Sequence, residues 1–242
     1  VTTSLGSGAS ATVTIPVGSS SSPTTVAAGG VAFDALTAGT TTVSATIPGF
    51  TSQTDASRAV TVSAPVLTIY SGSYGLGSGL QESNSVYLGA AAPAGGVTVR
   101  VESANPSALL VAPNASTAGS AFVDFVVPAG NTSLTYYAQG VEGITADTPV
   151  TVTASAPAYT NGTASWTVKK AALYISTNLS LNTTTLTADD PFTVVVGVPY
   201  SSYVSSQPIR AGGTAVTGTL TSSNAAVGQL TTSLGSGASA TV

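Results

Sequence analysis

Short runs in which apolar and hydroxylated residues alternate recur along the whole chain, each closed by a turn bearing Pro or Gly. Val123-Asp-Phe-Val-Val-Pro-Ala-Gly130 and Ala11-Thr-Val-Thr-Ile-Pro-Val-Gly18 both alternate before a Pro-x-Gly turn. Val152-Thr-Ala-Ser-Ala-Pro-Ala-Tyr159 parallels Val43-Ser-Ala-Thr-Ile-Pro-Gly-Phe50, and Trp166-Thr-Val168 parallels Val60-Thr-Val62. A period of two places successive side chains on opposite faces, which is the pattern of a half-buried strand. Turn signals at short, regular intervals extend that reading to an all-β chain of short strands with no helix of consequence. Val and Thr are both β-branched, so alternating them makes one apolar and one hydroxylated sheet face at no loss of strand propensity.

A longer period underlies the short one. Val1-Thr-Thr-Ser-Leu-Gly-Ser-Gly-Ala-Ser-Ala-Thr-Val13 returns as Leu230-Thr-Thr-Ser-Leu-Gly-Ser-Gly-Ala-Ser-Ala-Thr-Val242, an offset of 230 − 1 = 229 residues with only the first residue changed. Self-similarity at a fixed spacing is the signature of an array. The chain opens without Met and in mid-pattern, so the expectation is a window slightly longer than one period on a longer periodic structure.

Within the period the motifs fall into two sets. Val101-Glu-Ser-Ala-Asn105-Pro-Ser-Ala108 resembles Leu220-Thr-Ser-Ser-Asn224-Ala-Ala-Val227, and the openings Val66-Leu-Thr-Ile-Tyr70 and Ala172-Leu-Tyr-Ile175 also correspond. Three segments follow: 66–170 as a complete module, 171–242 as the first half of a module, and 1–65 as the second half of one. The halves are expected to be completed by other copies, 1–65 by the preceding one and 171–242 by the next.

The order of motifs, Ser-x-Asn, then an alternating strand ending in Pro-x-Gly, then Thr-Val-x-Ala-x-x-Pro-x-aromatic, resembles the tandem bacterial immunoglobulin-like repeats of invasin-type adhesins and other cell-surface proteins. The resemblance covers most of both modules. It implies tandem immunoglobulin-like Greek-key β-sandwiches, surface display and no catalysis.

Composition narrows the function. Charged residues are 6% of the chain, against roughly 25% in an ordinary globular domain. His, Cys and Met are absent, while about three residues in ten are Ser or Thr. With 43% hydrophobic residues the chain is nevertheless no disordered polar tract. Catalysis by Ser-His-Asp or Cys-His, and zinc sites built on His or Cys, are excluded by residue type. The nine acids are scattered, which leaves no paired carboxylates for glycoside hydrolysis. The protein is therefore expected not to be an enzyme and to carry no cofactor. Net charge is −4 with five basic residues, and Lys169-Lys170 is the single adjacent basic pair, so no nucleic-acid footprint exists. No apolar run is long enough for a transmembrane segment.

The remaining candidates concern surfaces. Asp189-Asp190 is the one acidic pair; it reads either as part of a calcium site at a module junction or as a turn leading into Phe192-Thr-Val-Val-Val196. Gly72-Ser-Tyr-Gly-Leu-Gly-Ser-Gly79 lacks the Lys and helix of a phosphate loop and reads as irregular strand edge. Trp166 is expected in the core. Tyr136-Tyr137 and Tyr200-Ser-Ser-Tyr203 are candidate contact surfaces. Asn114, Asn131, Asn161, Asn178 and Asn182 each begin an N-x-S/T sequon, and Asn131 and Asn161 are expected to be exposed. Ser19-Ser-Ser-Ser-Pro-Thr-Thr25 reads equally as an O-glycan cluster or a polar loop. Two functions remain open: an extracellular filament, fibre or sheath built by self-assembly of identical copies in a helical or linear array and carrying glycans, or the stalk of a cell-surface adhesin.

Overall fold

The computed structural model describes residues 1–4, 6–176 and 178–242. They are β throughout: the helical pieces among them are two 3-10 turns, Val26–Ala28 and Thr54–Ala56. The chain divides into two compact units, Val1–Ala64 and Pro65–Val242.

The first unit contains strands β1 (Thr2–Thr3), β2 (Gly6–Ser7), β3 (Gly39–Ser44) and β4 (Ser57–Val62). They form two antiparallel pairs, β1 with β2 and β3 with β4. Gly30 is the one buried residue among those described here, while Val13, Ile15, Phe33 and Phe50 lie exposed. The strand expected over 11–18 does not form; residues 11–16 carry no strand pairing. An alternating segment becomes a strand only beside a neighbour whose backbone it can satisfy.

The second unit begins with nine strands: β5 (Leu67–Ile69), β6 (Leu76–Gly77), β7 (Gln81–Leu88), β8 (Val97–Ser103), β9 (Leu109–Ala112), β10 (Phe122–Val127), β11 (Ser133–Gly140), β12 (Thr148–Ser155) and β13 (Gly162–Lys169). One sheet has the order β10-β8-β12-β13-β6 and the other β5-β7-β11-β9. Every connection from β5 to β12 passes from one sheet to the other, and only β12–β13 is a hairpin within a sheet. The two sheets share one core. Alternation places Val97, Val99 and Val101 of β8, Val150, Val152 and Ala154 of β12, and Trp166 and Val168 of β13 against Leu67, Val86, Leu109, Tyr136 and Ala138. Gly162 is required by close approach: a Cβ there would collide with the carbonyl oxygen of Leu67, where the start of β13 lies against β5.

Seven further strands follow: β14 (Ala172–Ile175), β15 (Val194–Tyr200), β16 (Tyr203–Ser206), β17 (Thr219–Thr221), β18 (Leu230–Thr232), β19 (Gly235–Gly237) and β20 (Ser239–Thr241). They make a three-stranded sheet, β14-β15-β16, and two pairs, β17-β20 and β18-β19. The duplicated sequence opens on the same hairpin twice, although Ser239–Thr241 pairs with β17 and the equivalent residues 10–12 form no strand. Thr2 pairs with Ser7 as Thr231 pairs with Ser236, and in both hairpins the two hydroxyls hydrogen-bond, at 2.8 and 3.0 Å. Gly6 and Gly235 take positive φ values of 126° and 122° at the same place in the turn.

Candidate assembly surface

The sheet order of the central strands supplies a template against which the partial pieces can be read. Val123 pairs with Val101, and Asp124 with Arg100, between β10 and β8. Ala240 pairs with Leu220, and Thr241 with Thr219, between β20 and β17. These are the residues that the sequence motifs equate, so the two pairs have one register. The flanking bonds agree: Ser103 N donates to Ala121 O at 2.9 Å, and Ser222 N to Ala238 O at 2.8 Å. Both Ser-x-Asn motifs then turn identically, with Asn105 O accepting from Ala108 and Leu109, and Asn224 O from Val227 and Gly228.

The other pieces match as well. Leu67–Leu88 and Ile69–Val86 between β5 and β7 correspond to Leu173–Val196 and Ile175–Val194 between β14 and β15. In the first unit, Val43–Arg58 and Thr41–Val60 repeat Val152–Ala164 and Val150–Trp166 of the β12–β13 hairpin. Residues 171–242 thus carry the strands equivalent to β5, β7, β8 and β10, and residues 39–62 carry those equivalent to β12 and β13.

Strands β5–β13 enclose their core, whereas β14–β20 leave apolar side chains open. Leu173, Phe192, Val194, Val196, Leu220 and Ala240 line a largely apolar cleft of about 1000 Å³ between β14–β15 and β17–β20. Their counterparts Leu67, Val86, Leu88 and Val101 are buried under β12 and β13. Among the described residues, β17 is paired on one edge by β20 and with no strand on the other, whereas β8 lies between β10 and β12.

Where residues 171–242 meet the central sheets, three buried glutamines bind the two together. Gln207 Nε2 donates to Gly75 O at 2.9 Å and to Glu82 Oε2 at 2.7 Å, and its Oε1 accepts from Gly77 N at 2.9 Å. Gln139 Nε2 donates to Gln81 Oε1, which also accepts from Ala211 N. Arg210 forms a bidentate pair with Glu142 at 2.9 and 2.7 Å, and Gln81 N donates to Pro208 O. Burial raises the Glu82 carboxyl above its ordinary value, with the Gln207 hydrogen bond opposing, whereas the hydrogen bond from Arg210 lowers that of Glu142. No sequence motif marked these residues, because their partners lie up to 132 positions away.

The residues singled out by sequence are dispersed. Asn114, Asn131, Asn161, Asn178 and Asn182 are all exposed. Asn131 follows the Pro128–Gly130 turn, and Asn161 sits between β12 and β13. Asn114 Oδ1 closes its own turn by accepting from Ser116 and Thr117, while Asn178 Nδ2 donates to Pro191 O. Asp190 accepts from Ser180 N at 2.6 Å, a bond that lowers its pKa, so one carboxylate of the acidic pair serves as a loop clasp. Among the described residues no three His, Cys, Asp or Glu converge as a metal-binding group. Tyr200 and Tyr203 are 48% and 73% exposed, with the Tyr200 ring 4.3 Å from that of Tyr74. Tyr136, expected on a contact surface, is instead fully buried: it points inward between Leu134 and Ala138, and its hydroxyl accepts from Trp166 Nε1 at 3.1 Å and donates to Tyr70 O at 2.6 Å. Its partner Tyr137 is half-buried. Neither a family model nor a curated protein sequence matches this chain. Among the described residues no helix is long and apolar enough to cross a membrane.

Proposed function

We propose that this chain is a structural protein of an extracellular filament, fibre or sheath, built from tandem immunoglobulin-like Greek-key modules that associate copy to copy and carry glycans at exposed sequons. One observation carries the reading. The pairs β17–β20 and β3–β4, towards opposite ends of the chain, keep the strand register of β8–β10 and β12–β13, and the sequence repeats at an offset of 229 residues. In the proposed array the open strands of one copy are closed by those of another, and contacts that propagate without closing generate linear or helical arrays. The hydroxyl-rich, charge-poor surface fits this role, since 6% charged residues leave little like-charge repulsion between neighbours.

Negative-stain microscopy tests the proposal. Raising the concentration of the purified chain is expected to give unbranched filaments whose axial repeat is two module lengths, on the order of 60 Å at ~3.3 Å per strand residue. Monodisperse particles at every concentration would instead indicate an adhesin stalk.

A further inference from the structure

The central module states what is missing from the open one. β8 is paired on its second edge by β12, with Val152 opposite Ser103, Thr153 opposite Glu102, Ala154 opposite Val101 and Ser155 opposite Arg100. Ala104 N donates to Thr151 O to close that ladder. The chain's own repeat converts each position: β17 for β8, and β3 for β12.

We infer that the β3–β4 hairpin of a second copy of this chain adds to the open edge of β17, with Val43 opposite Ser222, Ser44 opposite Thr221, Ala45 opposite Leu220 and Thr46 opposite Thr219. Ser223 N then donates to Thr42 O. The inference rests on the proposed array and names the seat at which its copies join. Inward residues of the hairpin, Val43, Ala45, Val60 and Val62, enter the cleft over Leu173, Val194, Val196 and Leu220 as Val152, Ala154, Trp166 and Val168 cover the central core. Main-chain pairing supplies the register, and burial of the two apolar faces supplies the driving force.

Chain reach excludes the hairpin of the same copy as the donor. In the central module Val66 is level with Thr160, whereas Gly77 is level with Lys169. The chain therefore comes in at one end of the module and leaves at the other, about 30 Å away at ~3.3 Å per residue. The strands from 172 onward sit at the outgoing end, where Ile209 bridges to Leu80 and Arg210 holds Glu142. A hairpin completing the open module would end at the far side of that module, two module lengths, about 60 Å, from Val66. Residues 63–66, which join Val62 to β5, span at most about 17 Å. Residues 10–12 of the incoming copy repeat the sequence of residues 239–241, so the edge of β17 that β20 occupies takes either segment while β3 takes the opposite edge.

The chain contains no cysteine, so paired substitutions report the register directly. Ser44→Cys and Thr221→Cys place thiols on the outer face of the proposed ladder, within the Cα separation a disulfide requires. Purified Ser44→Cys and Thr221→Cys proteins, mixed and oxidised with oxidised glutathione, are expected to give at least tenfold more linked dimer than Ser44→Cys mixed with Thr68→Cys. Thr46→Cys with Thr219→Cys provides a second pair should one variant fold poorly. The double variant Ser44→Cys/Thr221→Cys is expected to give a ladder of oligomers. A monomer closed by an internal disulfide at all concentrations overturns the inference. Filaments without enhanced cross-linking in either pair overturn it while leaving the array standing. Enhanced cross-linking without filaments supports the seat and overturns the filament. Absence of both overturns the two together.

Discussion

Trp166 and Tyr136 share a buried chain of hydrogen bonds that ends on the Tyr70 carbonyl, linking the two sheets across the core. Tyr136→Phe leaves the indole N–H buried without an acceptor, which costs about 1–3 kcal/mol. Urea unfolding followed by fluorescence of the single tryptophan should show that loss, whereas Tyr137→Phe should change stability by less than ~0.5 kcal/mol. Sequence placed Trp166 in the core, and a strict reading of Leu134-x-Tyr136-x-Ala138 would have placed Tyr136 beside it; the adjacent tyrosines obscured their opposite faces. The glutamine junction was not legible at all, because a buried amide is recognised only by partners the fold delivers. Glu82 there has a raised pKa, so the stability it contributes is present below the ordinary glutamate value of 4.5 and is lost as pH rises through the raised value. Glu82→Gln should therefore melt at a higher temperature than the parent at about pH 7 and coincide with it below about pH 4. Glu142 has the opposite sign: its stability is present above 4.5 and lost as pH falls through the lowered value.

At the level of elements, the alternating motifs identified β10, β12, β13, β3 and β4 and equated the right pairs, because side-chain period and turn chemistry are local. Residues 11–18 carry the same alternation and form no strand, since pairing depends on a neighbour that local pattern does not specify. The β3–β4 hairpin is a two-stranded ribbon, marginal in isolation. Hydrogen exchange should accordingly find the amides of 39–44 and 57–62 exchanging within seconds in dilute protein and protected at least 100-fold in assembled material, with β8, β12 and β13 protected in both. Gly162→Ala brings a Cβ against the Leu67 carbonyl and should destabilise the central module by about 1–3 kcal/mol, measured by thermal melting.

Among the described residues of the whole molecule, the enclosed core lies within β5–β13. Limited proteolysis of dilute protein should cut first within residues 8–38, where strand pairing is sparse, and leave a resistant fragment containing 65–170, read by mass spectrometry. Assembly should protect the cut region. The alternation of β5 through β12 between sheets has a mechanical consequence. The first strands run parallel to the last: Val66 is level with Thr160, and Leu76 and Gly77 with Val168 and Lys169. Tension applied along the chain pulls β5 and β6 one way and β13 the other. The hydrogen bonds between them are loaded together in shear instead of opening one by one from an end. In the proposed array each module resists stretching in this way, whereas the strand addition that joins one copy to the next is non-covalent, so rupture under load is expected to begin between copies before any module unfolds.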